Sequence, residues 1–207
     1  MIWKDYSRLP EQHALCGGSN YSWRNKTPEQ IVEFKMNSYA VKIGTLLHEY
    51  AKKNISRGFK MSKQDKHSVL RYLIIDNDIP EKAVDLDRIF VTLMNYVNDS
   101  ITFKMSPEIR LYYSDNFNGT ADAISFEKGA LKIFDLKTGV TTASFIQLEN
   151  YAAFFCLDYN ISPKDIKNIE YRIYQNMEMA IVNPDPLTLV PVLNHIIETE
   201  KMLRKVF

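Results

Sequence analysis

The sequence predicts an α+β protein in which a central mixed β-sheet is flanked by helices and preceded by an N-terminal helical region. Between residues 27 and 98, apolar side chains recur at the spacing of amphipathic helices. From residue 101 the period changes to two, as in half-buried strands. Two further helical stretches, residues 144–159 and 187–207, lie between and after the strands. We expect one domain over residues 1–207.

Composition limits the classes of protein to consider. The chain has 207 residues, of which 45% are hydrophobic, enough for a sizeable core. A net charge of +1 excludes a globally basic surface, so any phosphate binding must come from a local patch. The two cysteines, Cys16 and Cys156, favour a reducing compartment. The sequence shows neither a long apolar run nor a signal peptide, so we expect a cytoplasmic protein without a membrane partner.

The first hundred residues are predicted to form an N-terminal arm followed by helices. The arm, residues 1–26, either docks on the body or reaches a substrate backbone through Ser19, Tyr21 and Arg24. Thr27, Pro28 and Gln30 then form a capping box that starts a helix. We expect this helix to break or bend near Asn37 and Ser38. The later helices are expected over residues 39–56, 62–75 and 81–98.

The helix predicted over residues 39–56 carries the segment GTLLH, in which His48 follows Gly44 by about one turn. A single histidine on a helix is more often structural than a ligand. A glycine on nearly the same face, however, lets another backbone or a ligand approach closely. Both interpretations of His48 remain open at this point.

Strands are predicted over residues 101–104 and 108–114 and in a hairpin that begins at Gly119. The first hairpin strand carries Asp122, Lys128 and Gly129 make its turn, and the second strand, residues 130–137, carries Asp135 and Lys137. Side chains alternate along a strand, so Asp135 and Lys137 share a face and Leu136 points into the opposite layer.

If the two strands pair, two carboxylates and an ammonium face one pocket at the end of an apolar sheet. Buried charges are costly unless they are compensated, and a divalent cation is a natural compensator. Glu108 either joins this pocket or faces solvent. An alternative is that Asp135 and Lys137 form a surface ion pair of little energetic value and that Asp122 caps a turn.

The rest of the chain supplies a helix, two strands and a final helix. Gln147 and Tyr151 are four residues apart in the helix predicted over residues 144–159, so they share one face. Strands are expected over residues 168–177 and 178–182. The predicted organisation is therefore arm and helices in residues 1–100, sheet and connecting helix in 101–182, and C-terminal helix in 183–207.

Four segments together resemble the PD-(D/E)xK nuclease superfamily, in its RecB-like and lambda-exonuclease-like branch, including phage-encoded members. They are GTLLH ending at His48, GTADAI with Asp122, the triplet Asp135-Leu136-Lys137, and Gln147-x-x-x-Tyr151. The resemblance spans roughly residues 40–180 and implies a restriction-endonuclease-like α/β/α fold. Ala121 stands where the superfamily's name has proline.

The resemblance also implies roles for individual residues. Asp122 and Asp135 would ligate Mg²⁺ or Mn²⁺, with the Leu136 carbonyl as a further ligand. His48 would add a nitrogen ligand, which favours Mn²⁺. The remaining implied roles are water activation for Lys137, an outer or second-ion ligand for Glu108, and positioning of the nucleic-acid backbone for Gln147 and Tyr151.

The implied function is a metal-dependent deoxyribonuclease, an exonuclease that acts on DNA ends in recombination, repair or phage DNA processing. By analogy, a toroidal homo-oligomer is one expected assembly, and two cysteines cannot hold the iron–sulfur cluster of some members. One alternative is a binding module that uses the nuclease fold in a recombination or virion assembly with little catalysis. A sequence-specific endonuclease is a third interpretation.

Overall fold

A five-stranded sheet with helices on both faces forms the body of the protein. The computed structural model describes residues 15–16, 21–139 and 143–206. The strands are β1 (Ser106–Tyr112), β2 (Asn118–Glu127), β3 (Ala130–Leu136), β4 (Asn168–Gln175) and β5 (Glu178–Val182), in that spatial order. The α+β class with a mixed sheet and an N-terminal helical region is therefore confirmed.

The first helix, α1, runs without interruption over Pro28–Arg57. The predicted capping box is present, because the Thr27 side chain accepts from the Gln30 backbone N–H and the Gln30 side chain accepts from the Thr27 N–H. The predicted break near Asn37 and Ser38 is wrong. The Ser38 hydroxyl donates to the Lys35 carbonyl at 2.6 Å, so it bonds to the helix backbone without ending the helix.

Two more helices complete the N-terminal layer: α2 (Lys66–Ile74) and α3 (Leu86–Thr102). Short 3₁₀ turns, Lys63–Asp65 and Glu81–Ala83, precede them. The strand predicted over residues 101–104 is wrong. Residues 101 and 102 are the last of α3, and the Phe103 N–H still donates to the Asp99 carbonyl. Over so few residues, alternating apolar and polar side chains are compatible with the last turn of a helix as well as with a strand.

The sheet is antiparallel except between β3 and β4, which run parallel. Parallel neighbours need a crossover connection, and helix α4 (Ile146–Asp158) supplies it. The predicted hairpin turn between β2 and β3 is confirmed. Lys128 and Gly129 both have positive φ, 54° and 84°, as tight hairpin turns require. The C-terminal helix, α5 (Leu189–Val206), follows a 3₁₀ turn at Pro186–Thr188.

Alternate side chains of β3 enter two different cores. Phe134 and Leu136 pack with α1, α2 and α3, whereas Leu131 and Ile133 pack with α4 and α5. The ends of β2 and β3 therefore lie between α1 on one side of the sheet and α4 on the other. Within the part of the chain that the structure describes, every helix is too short or too polar to cross a membrane.

Candidate metal and catalytic site

The structure brings a helical histidine together with carboxylates from two neighbouring strands. His48 lies on α1, Glu108 on β1 and Asp122 on β2. His48 Nδ1 is 3.5 Å from Glu108 Oε1 and 3.5 Å from Asp122 Oδ1. One ligand atom from each of the three lies within 4.8 Å of the others. Ligand atoms about 2 Å from an octahedral ion are about 3 to 4 Å apart, so this group is close to the size of a cation site.

Glu108 reaches this group from an unusual backbone conformation. Its φ is +53°, in the left-handed region, although it lies within β1. A non-glycine residue is held there at a cost of about 1–3 kcal/mol, which the surrounding structure must offset. Glu108 is thus placed beside His48 and Asp122, as one of its two interpretations predicted.

Leu136 contributes its peptide atoms to the same cluster. Its N–H donates to Asp122 Oδ2 at 2.9 Å, and its carbonyl oxygen lies 3.1 Å from His48 Nε2. A carbonyl only accepts, so the hydrogen of this bond is on Nε2. Nδ1 is the ring nitrogen that faces the two carboxylates, so it is the atom that would bind an ion, with Nε2 held from behind by the Leu136 carbonyl. The role implied for the Leu136 carbonyl as a direct ligand stays a prediction, because the structure gives that oxygen a histidine neighbour.

Asp135 forms a separate, buried pair with Lys137. Lys137 Nζ lies 3.0 Å from Asp135 Oδ1 and 2.9 Å from Oδ2. Only 2% of the Asp135 side chain is exposed, which does not fit the alternative of a surface ion pair. Its Oδ2 is buried without a well-aligned hydrogen-bond donor among the described residues. Asp135 is not a member of the close group of His48, Glu108 and Asp122.

Burial disfavours the charged forms of both aspartates. Burial raises the pKa of Asp122 to about 7; His48 and the Leu136 N–H oppose the rise, and Asp135 and Glu108 add to it. Burial also raises the pKa of Asp135, against the opposing effect of Lys137. Two neighbouring carboxyls that resist ionisation in the free protein form a site at which a cation would be stabilised.

Gln147 and Tyr151 lie beside this pair, but their described contacts are with protein. Lys137 Nζ donates to Gln147 Oε1 at 2.8 Å, and Gln147 Nε2 donates to the Tyr151 hydroxyl at 2.8 Å. Both come from α4, and the predicted sharing of one helix face is confirmed. Their implied role as DNA contacts stays a prediction.

The segment after Lys137 is held by residues that the sequence did not single out for this role. Arg88 Nη1 donates to the Thr138 carbonyl at 2.9 Å. A Cβ at Gly44 would lie 3.1 Å from Thr138 Oγ1, so the glycine does permit a close approach, that of a threonine hydroxyl. No local sequence pattern indicates this role of Arg88, because its partner Thr138 lies 50 residues away.

The contacts predicted for the N-terminal arm fall mostly on residues that the structure does not describe. Ser19 and the side chain of Tyr21 lie outside the described residues. Arg24 is exposed at the end of a 3₁₀ turn, Tyr21–Asn25. The role of these three residues as phosphate partners stays a prediction.

Comparison with known proteins adds no relative. The chain matches no protein-family model, no curated protein and no solved structure.

Proposed function

We propose that this protein is a metal-dependent deoxyribonuclease that hydrolyses phosphodiester bonds. The observation that carries the proposal is the group formed by His48, Glu108 and Asp122, with ligand atoms within 4.8 Å of one another. The buried Asp135–Lys137 pair follows on the strand next to Asp122. A cation site beside an ammonium group is the combination that hydrolysis of an anionic ester needs.

The donor set fits a hard divalent cation. Carboxylate oxygens suit Mg²⁺ and Mn²⁺, and an imidazole nitrogen favours Mn²⁺. Asp135 Oδ2 is buried, lies 2.9 Å from Lys137 Nζ and has no well-aligned donor among the described residues, so it would be able to complete the coordination. His48, Glu108, Asp122 and Asp135 would thus hold the ion. When bound, the ion supplies charge neutralisation at the phosphate and lowers the pKa of a bound water.

Lys137 is the group that would meet the substrate. Its ammonium has three hydrogens, and its described partners, Asp135 and Gln147, engage two of them. Because 29% of its side chain is exposed, Lys137 could also donate to the attacking water or to a phosphate oxygen as negative charge develops there. Asp135 holds the ammonium in place through contacts of 2.9 and 3.0 Å. Action on DNA ends, a role in recombination, repair or phage DNA processing and a toroidal assembly are part of the proposal through the resemblance alone.

The test is cleavage of end-labelled linear, nicked and circular DNA with Mn²⁺, Mg²⁺ or EDTA. We expect Mn²⁺-dependent loss of linear DNA, and Asp135→Asn or Lys137→Met to lower the rate by on the order of 10² or more. The exposed Asp87→Asn and Lys82→Met are matched controls that keep the wild-type rate. Wild-type rates in Asp135→Asn and Lys137→Met would reject the site. DNA binding without cleavage by the wild type would instead support the binding-module alternative.

A further inference from the structure

Lys137 is the last member of a series of contacts that begins at Gly119. The Lys137 ammonium donates to Gln147 Oε1 at 2.8 Å, and Gln147 Nε2 donates to the Tyr151 hydroxyl at 2.8 Å. The Tyr151 ring in turn lies against Gly119 on β2. The series therefore joins the crossover helix α4 to the strand that carries Asp122.

The chemistry of the donors fixes how the amide of Gln147 is oriented. An ammonium group only donates, so the amide must present its oxygen to Lys137. Its nitrogen then points the other way and needs an acceptor, which the Tyr151 hydroxyl provides. Both polar ends of the Gln147 side chain are thus in use within the protein.

Gly119 makes room for the tyrosine. A Cβ at this position would lie 2.8 Å from Tyr151 Cε1, closer than carbon atoms approach without displacement. Its φ is not in the positive range, so the requirement at Gly119 concerns space and not backbone conformation. The missing side chain is what allows the ring, and with it the hydroxyl, to sit where Gln147 can donate to it.

We propose that Gly119, Tyr151 and Gln147 are positioning residues that hold the Lys137 ammonium in its catalytic place, and that they are not ligands of the DNA. The inference deepens the proposed nuclease function and rests on it. It assigns these side chains a role in the rate of the chemical step, where a DNA contact would act on affinity.

Single-turnover cleavage, with protein in excess over labelled linear DNA, separates the two roles. We expect Gly119→Ala and Tyr151→Phe to lower the maximal rate about tenfold and Gln147→Ala to lower it about 10- to 100-fold, as for loss of a hydrogen bond to a charged group. The protein concentration that gives half the maximal rate should change less than about twofold. Gly139→Ala is the matched control, because no atom of the described residues lies within 4 Å of a Cβ there.

A second measurement does not depend on cleavage. The side-chain amide signals of Gln147 in ¹H–¹⁵N spectra can be assigned by their loss in Gln147→Ala. Tyr151→Phe and Gly119→Ala should both move the amide proton that donates to Tyr151 upfield and speed its exchange with solvent. Gly139→Ala should leave these signals in place.

The results that would overturn the inference are specific. A higher half-saturating concentration at an unchanged maximal rate would make these residues DNA ligands. Unchanged Gln147 amide signals in Gly119→Ala and Tyr151→Phe would show that no such series of contacts exists. Failure of the proposed function is distinguishable, because the wild type then cleaves no DNA under any metal condition while the amide signals still report on the contacts.

Discussion

Asp122 lies at the centre of the candidate metal site, between His48 and the Leu136 main chain. One of its oxygens faces His48 at 3.5 Å, and the other accepts from the Leu136 N–H at 2.9 Å. Only 13% of its side chain is exposed. A carboxylate in this position is held by the backbone on one side and is open to a cation on the other. Removing its charge while keeping its shape is therefore the cleanest single change to the site.

Calorimetric titration with Mn²⁺ tests this residue directly. We expect the wild type to give binding heat and Asp122→Asn to weaken binding by at least about tenfold, since a neutral amide is a poorer ligand than a carboxylate. The exposed Asp87→Asn removes the same charge elsewhere and should leave the titration unchanged. Equal heats in Asp122→Asn and the wild type would place the metal site somewhere else.

The sequence indicated which residues belong to the site but not how they meet. Asp122, Asp135 and Lys137 could be placed by strand alternation, which is a local property. The sequence left open whether Glu108 joins the pocket or faces solvent, and it did not predict the φ of +53° with which Glu108 reaches His48. Glutamate is not enriched at positive φ, so the local sequence does not indicate that Glu108 adopts this conformation. The hydrogen bond from Arg88 to the Thr138 carbonyl also could not be predicted from local sequence, because the two residues are 50 positions apart.

At the scale of the element, α1 has two unlike halves. Its buried residues all lie in the second half, from Ile43 to Ile55. Leu47, next to His48, is 1% exposed, whereas Val41 in the first half is 73% exposed. The half that carries His48 is therefore held by the core, and the first half adds length without burying a side chain fully.

Two aliphatic truncations on α1 should have very different effects. We expect Leu47→Ala to lower the free energy of unfolding by about 2–5 kcal/mol, because it leaves a cavity in the core. Val41→Ala should change it by less than about 0.5 kcal/mol. Urea denaturation followed by circular dichroism measures both. Similar losses in the two variants would contradict the division of α1 into a buried and an exposed half.

Element boundaries were the least predictable part of the fold. The polar pair Asn37 and Ser38 suggested a break, but the Ser38 hydroxyl bonds to the preceding turn and α1 continues. The alternation after residue 101 suggested a strand, but one more helical turn satisfied the same pattern. Both errors arise where a short stretch is compatible with two structures and a neighbouring element decides between them.

For the whole molecule, the candidate site connects the two helical layers through the sheet. His48 belongs to α1, whereas Lys137 contacts Gln147 of α4. A bound ion would therefore tie together parts of the chain that separate on unfolding. Any ligand that binds only the native state stabilises it in proportion to the logarithm of its concentration.

Mn²⁺ should accordingly raise the melting temperature. At about one hundred times its dissociation constant, the stabilisation is about 2.7 kcal/mol, which for a chain of this size is a shift of roughly 5–11 °C. We expect the shift in differential scanning fluorimetry for the wild type and Asp87→Asn and its loss in Asp122→Asn. A shift that persists in Asp122→Asn would mean that the ion binds at another site.

A second connection joins α3 to β3 and β4. Glu170 accepts from Lys132 at 3.0 Å and from Arg172 at 2.7 Å, and Arg172 also donates to Asp99 on α3 at 2.9 Å. The Arg172 guanidinium lies 4.3 Å from the centre of the Phe103 ring. Burial acts to raise the pKa of Glu170, but its bonds to Lys132 and Arg172 outweigh burial and lower it.

The stability that Glu170 provides should depend on pH. A carboxyl whose pKa is lowered by folding stabilises the native state above its unfolded pKa, near 4.5, and that contribution is lost as the pH falls through the folded pKa. We expect Glu170→Gln to be destabilised by about 1–3 kcal/mol at pH 7 and the difference from the wild type to shrink as the pH falls below 4.5. Denaturation over a series of pH values from 7 downward measures this. A difference that stays constant over the series would show that the charge is not responsible.

The two bonds that Leu136 makes through its main chain have a consequence for genetic screens. In saturation mutagenesis, position 136 would tolerate isoleucine, methionine or valine and would be scored as an ordinary packing position. Its backbone N–H nevertheless holds Asp122, and its carbonyl oxygen holds His48. Replacing the Leu136 N–H with an ester oxygen by chemical ligation would remove the bond to Asp122 and expose a dependence that exchange of the twenty encoded side chains cannot reveal.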